Sequence, residues 1–458
     1  MAMGERRLET QESLFIATDR LPKAAGHPFY GRLNQLLAEA DFDSWIENRC
    51  QQHYAAEGSA GRPSIPPGLY FRILLVGYFE GIDSQRGIAW RCADSLGLRR
   101  FLGLSLEESS PDHSTLTNTR KRLPAEVFEE VFRFVLPIAA LKGLLAGKTV
   151  GVDSTTLEAN ESMKGIVRKD TGADWRAYVV RLTREEGLIE VEQEPTDEEV
   201  RRYDKGRKNK RVSNDEWQSG SDPDSRIAKM KDGRTRLAYK AEHVVDLENE
   251  PVLAAEIYPA NRGDADTLVG SVMQAKLNVD AANERAGLGG ERIEEVAADK
   301  GYHSAATLEL ADALNMRTYI PEPKHKHRSR WTDKPEGHRT AVINNRRRTG
   351  RERSRKLQRL RSERVERSFA HTCETGGARR SWLRGFVDVT KRYLMTVAAH
   401  NLGRVLRKLF GVGKPKALPG ISGLSAGLAG VLQVPLWVHL AIGRDSRRSD
   451  AVLLRSAA

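Results

Sequence analysis

Cysteine is scarce in this chain: Cys50, Cys92 and Cys373 are its three among 458 residues, far apart and without a CxxC pair. That excludes a disulfide framework and a cysteine-based zinc finger, and it fits a reducing, cytoplasmic setting. The opening segment, MAMGERRLETQESLF, is too charged to read as a signal peptide. Long apolar runs are also lacking. Residues 417–443 carry no charge and are long enough to span a bilayer, but Pro419, Pro435, Gln433, His439 and several glycines dilute them. The expected reading of 411–458 is a C-terminal extension, with no membrane partner. A phosphate loop is missing too: Gly143, Gly147, Lys148 and Thr149 fall one residue short of the pattern and precede their strand instead of following it. His325, His327 and His338 have no nearby cysteine to complete a zinc site.

What is abundant is positive charge. Lys and Arg number 74 against 62 Asp and Glu, a formal net charge of +12. Residues 324–364 alone hold sixteen Lys or Arg and four Asp or Glu, so the excess is concentrated in one arm. Cations that meet phosphates release condensed counterions, which gives tight, salt-sensitive binding to nucleic acid. The expected DNA contacts in the arm are Lys324, Lys326, Arg328, Arg330, Arg346, Arg347 and Arg348, with Trp331 placed to stack on an unpaired base.

Periodicity divides the chain at about residue 147. Before it, apolar residues recur three and four apart, as in Leu69, Ile73, Gly77 and Val127, Val131, Val135, and glycines break short helices near Gly81, Gly97 and Gly103. A capped helix at 110–122 ends in Arg120, Lys121 and Arg122, which suits a DNA-contacting helical module or a helical brace for the core. From residue 148 the grammar changes. A short apolar run ends on Asp153, runs at 236–245 and 251–258 flank a hairpin signal, a helix opens at Asp264, and a strand at 293–298 ends on Asp299. A helix capped by Ser304 and a strand at 317–320 follow. The order implies a mixed α/β sheet flanked by helices, with a polar insertion at about 161–232 that includes a capping-box pattern at Thr196.

Acids at strand ends converge on one edge of a sheet, where carboxylate oxygens suit hard divalent cations. Two such cations can hold the attacking and leaving oxygens of a phosphodiester. Asp153 and Asp299 fit that arrangement, and a third acid is expected from a helix crossing nearby. Glu363 and Glu366, three apart, share roughly one face of the helix at 359–371, and spacing alone does not choose between them.

The segments GVDSTTLEAN at 151–160, AADKGYHS at 297–304 and RSERVERSFAHTCETGGARRSWLRGF at 361–386 resemble bacterial insertion-sequence transposases of the DDE class. SDPDSR at 221–226 and AAHNLGRVLRKLFGVG at 398–413 extend the resemblance over about 63–413. It implies an RNase H-like core over 148–410, Asp153, Asp299 and Glu366 as the catalytic and metal-binding acids, and two Mg²⁺ or Mn²⁺ ions. It also implies a DNA transposase that nicks element ends and joins them to target DNA. The partners are then double-stranded DNA, both terminal inverted repeats and target, with a homodimer forming on DNA. The resemblance selects Glu366, because the family's acid precedes the Arg-Ser-Phe step. One departure stands out: many relatives carry Arg four residues before that acid and Lys seven after it, where this chain has Ser362 and Cys373. Arg361, Arg364 and Arg367 are the expected substitutes for the phosphate contacts. Two rival readings remain open on the sequence: a nuclease of the same core that never joins ends, and a non-catalytic DNA-binding remnant or repressor.

Overall fold

The protein is described from a computed structural model, over residues 27–54, 64–190, 192, 194–208, 212–230, 232–289, 293–324, 331 and 334–415. Seven helices come first: α1 Pro28–Glu39, α2 Phe42–Cys50, α3 Pro67–Glu80, α4 Gln85–Asp94, α5 Leu96–Phe101, α6 His113–Arg122 and α7 Ala125–Leu141. Then come β1 Thr149–Glu158, β2 Ile166–Arg168, α8 Trp175–Glu185, α9 Asp197–Gly206, β3 Trp217–Ser219 and β4 Arg226–Lys229. The hairpin β5 Thr235–Asp246 and β6 Val252–Pro259 leads to α10 Asp264–Ala286, β7 Glu295–Ala298, α11 Ala305–Ala313 and β8 Arg317–Tyr319. The chain closes with α12 Glu336–Thr349, α13 Glu352–Phe369 and α14 Phe386–Phe410.

The central sheet runs β5-β1-β7-β8, with β4 and β6 both paired along the outer edge of β5. β1–β5 and β5–β6 are antiparallel, whereas β1–β7 and β7–β8 are parallel. Counting only the core strands, this is the mixed sheet expected of an RNase H-like core: an antiparallel meander followed by parallel strands joined through helices. The anticipated turn at 246–250 is built by Asp246, whose carboxylate accepts from the Glu248, Ala146 and Gly147 amides. The described residues of the insertion include two helices and two short strands, α8, α9, β2 and β3. Thr196 and Glu199 form the reciprocal capping box at the start of α9, and Val179, Val180 and Val200 give it a small core of its own.

Strand pleating sorts β1 between two layers. Val150 and Val152 pack with Leu268 and Val272 of α10. Gly151 and Asp153 face the other way, toward α13. The sequence pattern ends the first strand at Asp153, but β1 continues to Glu158, because Thr155 and Leu157 keep pairing with Ala241 and Tyr239 of β5. Asp153 is therefore a mid-strand residue.

The first seven helices are not set apart from the sheet. One apolar cluster runs from Phe29, Tyr70 and Phe128 to Tyr393 and Val405 of α14 and Val365 of α13. Arg120 belongs to this junction: its side chain is buried and its Nε donates to Asp388 of α14 at 3.3 Å. It braces two elements and is turned away from the solvent face expected of a DNA contact.

Helix α13 lies against β1 at Gly151. A Cβ there would stand 2.7 Å from Leu247 Cδ2, 3.0 Å from Val365 Cγ2 and 3.2 Å from Arg361 Cγ. Overpacking a closed contact of this kind costs about 1–3 kcal/mol. Gly151→Ala is therefore expected to lower unfolding stability by that amount in urea titration. A variant as stable as the parent would show that α13 is not tightly seated.

Candidate metal centre and nucleic-acid interface

The β1–β7 register brings two of the three acids together. The last paired residues are Val152 and Ala298, so the next positions on these parallel strands are Asp153 and Asp299. Adjacent strands lie about 4.8 Å apart, and residues at equal register point to the same side. Asp299 is exposed at the start of a short 3₁₀ turn, Lys300–Tyr302, where its carbonyl accepts from Tyr302 N at 3.0 Å. Asp153 is more enclosed. Its Oδ1 accepts from Ser154 N at 2.8 Å, and its Oδ2 pairs with Arg361 Nη1 of α13 at 2.6 Å.

Helix α13 buries Ser354, Leu357, Arg361, Val365, Ser368 and Phe369 against the sheet. On one flank of that stripe Arg364 donates to the carbonyls of Leu247 and Glu248, near the turn after β5. On the other flank Gln358 donates to the carbonyls of Ala298 and Tyr319. At 100° per residue, Ser362 and Glu366 share the Gln358 flank, which faces the end of β7 and the half of β1 that carries Asp153. Glu366 is exposed and accepts from Ser362 Oγ at 3.1 Å. Glu363 lies farther around the helix and is paired with Arg367 at 2.5 Å. Helix phase thus separates two acids that spacing alone leaves equivalent.

Two buried polar groups support the acids, and the sequence reading missed both. Behind the sheet, Glu242 accepts from Thr267, Ser271 and Tyr302 at 2.8, 2.5 and 2.8 Å, with Lys240 at 3.5 Å. Burial pushes its carboxyl up, against the pull of those hydrogen bonds and of the Lys240 charge. Lys240 also pairs with Asp264 at 2.7 Å, and Asp264 accepts from Ser154 at 3.0 Å, which ties the network to the residue after Asp153. On the α13 side, His243 Nδ1 lies 2.8 Å from Ser368 Oγ and its Nε2 lies 2.8 Å from Tyr393 Oη. The only local signal was a set of polar residues, Lys240, Glu242 and His243, inside an otherwise apolar strand.

The cations of the basic arm divide into two groups. Arg346 is engaged with Glu322, Arg348 with Asp312 and the Thr318 carbonyl, and Arg367 with Glu250 and Glu363. Arg361 and Arg364 are held as described above. Trp331 is partly buried against the apolar cluster that α10, α11 and α12 share with the sheet, with Lys334 Nζ 5.3 Å from its ring centre. Lys121, Arg122, Lys324 and Arg347 are exposed, and Arg122 lies 4.8 Å over the Tyr54 ring. Arg355 and Arg359, also exposed, stand on the α13 flank that carries Glu366. Lys326, Arg328, Arg330, His325 and His327 lie outside the described residues, as does the 417–443 stretch.

Among the described residues, no group of three or more His, Cys, Asp or Glu side chains lies close enough together to hold a metal ion. The donor set is nonetheless carboxylate in kind, with two acids in register and the third on the overlying helix flank, which suits hard divalent cations. None of the described helices is long and apolar enough to cross a membrane.

Residues 17–122 match the family model described as a transposase domain (DUF772), and residues 322–406 match the model described as a transposase DDE domain. Together the two matches support an insertion-sequence transposase of the DDE class, a class that generally uses divalent metal ions. The second range contains Glu366; Asp153 and Asp299 lie outside both. No curated protein and no solved structure matches the chain.

Burial pushes His243 down to about 3, so it is neutral in the folded protein. An unfolded histidine takes up its proton near pH 6.5. The unfolded chain therefore binds more protons as pH falls from about 6.5 toward 3, and folding stability is lost across that window, at up to about 1.4 kcal/mol per pH unit. His243→Asn removes this term. Between pH 6 and 4, the stability of the variant should fall less steeply than that of the parent, by about 1 kcal/mol per pH unit. Equal slopes in urea titrations would show that His243 is not held neutral by burial.

Proposed function

We propose that the chain is a DNA transposase whose Asp153, Asp299 and Glu366 form the catalytic centre for cleaving element ends and joining them to target DNA. The observation that carries this reading is the register of Asp153 beside Asp299, under a helix whose near flank presents Glu366. Mg²⁺ or Mn²⁺, two ions held by these carboxylates, would supply Lewis-acid polarisation and charge neutralisation at the attacking and leaving oxygens.

The chain's own residues do the positioning. Arg355 and Arg359 flank Glu366 on its helix edge and lead the phosphate backbone toward the acids, with Arg347, Lys324, Lys121 and Arg122 as further exposed contacts. Arg361, paired with Asp153, fixes that carboxylate against rotation and places a positive charge beside the scissile phosphate. The attacking oxygen is first that of water and then the freed 3′-hydroxyl, each displacing its leaving oxygen in line. Two DNA ends must meet for joining, which calls for a pair of chains on the DNA.

Asp153→Asn should bind a duplex carrying the element's terminal repeat with parental affinity and lose Mg²⁺-dependent cleavage. The loss should exceed about 100-fold, the upper end of what removing an outer-shell partner costs. Retained cleavage would sink the assignment. With pre-cleaved ends, the parent should yield joined product; cleavage without joining would instead identify a nuclease.

A further inference from the structure

His243 stands directly opposite Asp153 in the β1–β5 pairing, on the same face of the sheet and beneath α13. It is fully buried, yet every polar atom of its ring has a partner. Ser368 gives its hydroxyl proton to the Val365 carbonyl at 2.7 Å, so its oxygen is left to accept from His243 Nδ1–H at 2.8 Å. Nε2 then accepts the Tyr393 hydroxyl proton at 2.8 Å, from α14. The ring also stacks on Phe369, with centroids 4.1 Å apart and planes 11° from parallel.

These contacts have a geometric consequence. Ser368 and Phe369 follow Glu366 by two and three residues on the same helix. Arg361, five residues before Glu366, is tied to Asp153. The helix is thus pinned to neighbouring residues of two paired strands, once on each side of Glu366. Directly beyond Phe369 the helix widens into a π-helical segment, Ala370–Thr375, where the α-helical phase is lost. On the C-terminal side of the acid that phase is held by the His243 clamp, next to the Arg367–Glu250 ion pair.

We propose that His243, through Ser368 and with Tyr393 behind it, is a positioning residue that sets the rotation of α13 and so the place of Glu366 relative to Asp153. It touches neither DNA nor metal. The inference rests on Glu366 being the third acid.

The test compares His243→Phe, which keeps the stack and loses both hydrogen bonds, with Ser368→Ala and with His243→Asn, whose amide N–H can replace Nδ1–H toward Ser368. Each is assayed for binding and cleavage of a terminal-repeat duplex, for the Mn²⁺ concentration giving half-maximal cleavage, and for Mn²⁺ binding by electron paramagnetic resonance. His243→Phe and Ser368→Ala should bind the duplex with unchanged affinity. Their Mn²⁺ binding should weaken on the order of 10-fold, with a matching fall in cleavage rate, and His243→Asn should recover most of both. Should His243→Phe fail to fold, Ser368→Ala carries the comparison. Parental Mn²⁺ affinity and cleavage in Ser368→Ala, alongside an inactive Glu366→Gln, would overturn the positioning role alone. A Glu366→Gln variant that cleaves at the parental rate would overturn the catalytic reading and the positioning role with it.

Discussion

The seating of α13 on β1 is the contact on which the candidate centre depends. Gly151 leaves no side chain at the point of closest approach, so Arg361 and Val365 reach the strand directly. The same face of β1 presents Asp153 two residues later, and the parallel pairing with β7 sets Asp299 beside it. A bulkier residue at 151 would lift the helix and move Glu366 away from both acids without touching any of them. A backbone spacing, set by one missing Cβ, thereby controls the relation between three carboxylates that are far apart in sequence.

Charge is organised around that contact in two ways. Several cations of α12 and α13 are paired internally: Arg346 with Glu322 at the surface, and Arg348, Arg367 and Arg361 with Asp312, Glu250 and Asp153. Removing one partner from the most enclosed of these, Arg361–Asp153, leaves an uncompensated charge, which costs more than the pair contributes. Cations on the outer side, Arg347, Arg355 and Arg359, remain open to solvent. A run of basic residues in sequence is therefore two populations in space, and helix phase assigns each residue to one of them. The solvent-facing population alone supplies the salt-sensitive attraction expected toward a phosphate backbone.

Local chemistry made much of this legible beforehand. The β5–β6 hairpin, the Ser304 cap, the Thr196 capping box and the opening of α10 at Asp264 were readable because each is written in adjacent residues. The extent of β1 was not: Asp153 resembles a strand-terminal acid until β5 supplies partners as far as Glu158. Arg120 was read as a DNA contact because basic residues favour that role, and only the position of α14 shows where its side chain goes. His243 and Glu242 gave no motif at all. Their partners come from α10, α13 and α14, so their roles exist only once those helices are packed.

The departures from the motif of the class that the chain resembles acquire a physical account in the same way. Ser362 occupies the position where many transposases of that class have Arg, and its hydroxyl donates to Glu366 at 3.1 Å, holding the acid's orientation. Cys373, where those transposases have Lys, is buried in the π-helical segment. Positive charge lies close by on other residues. Arg361 lies against Asp153, while Arg379 Nη1 donates to Thr155 Oγ1 at 3.0 Å, two residues farther along the same face of β1. Both arginines are ion-paired within the fold, Arg361 with Asp153 and Arg379 with Glu374, so they set the charge balance along the strand face that carries the acid, while the solvent-facing cations of α12 and α13 remain open to an approaching phosphate.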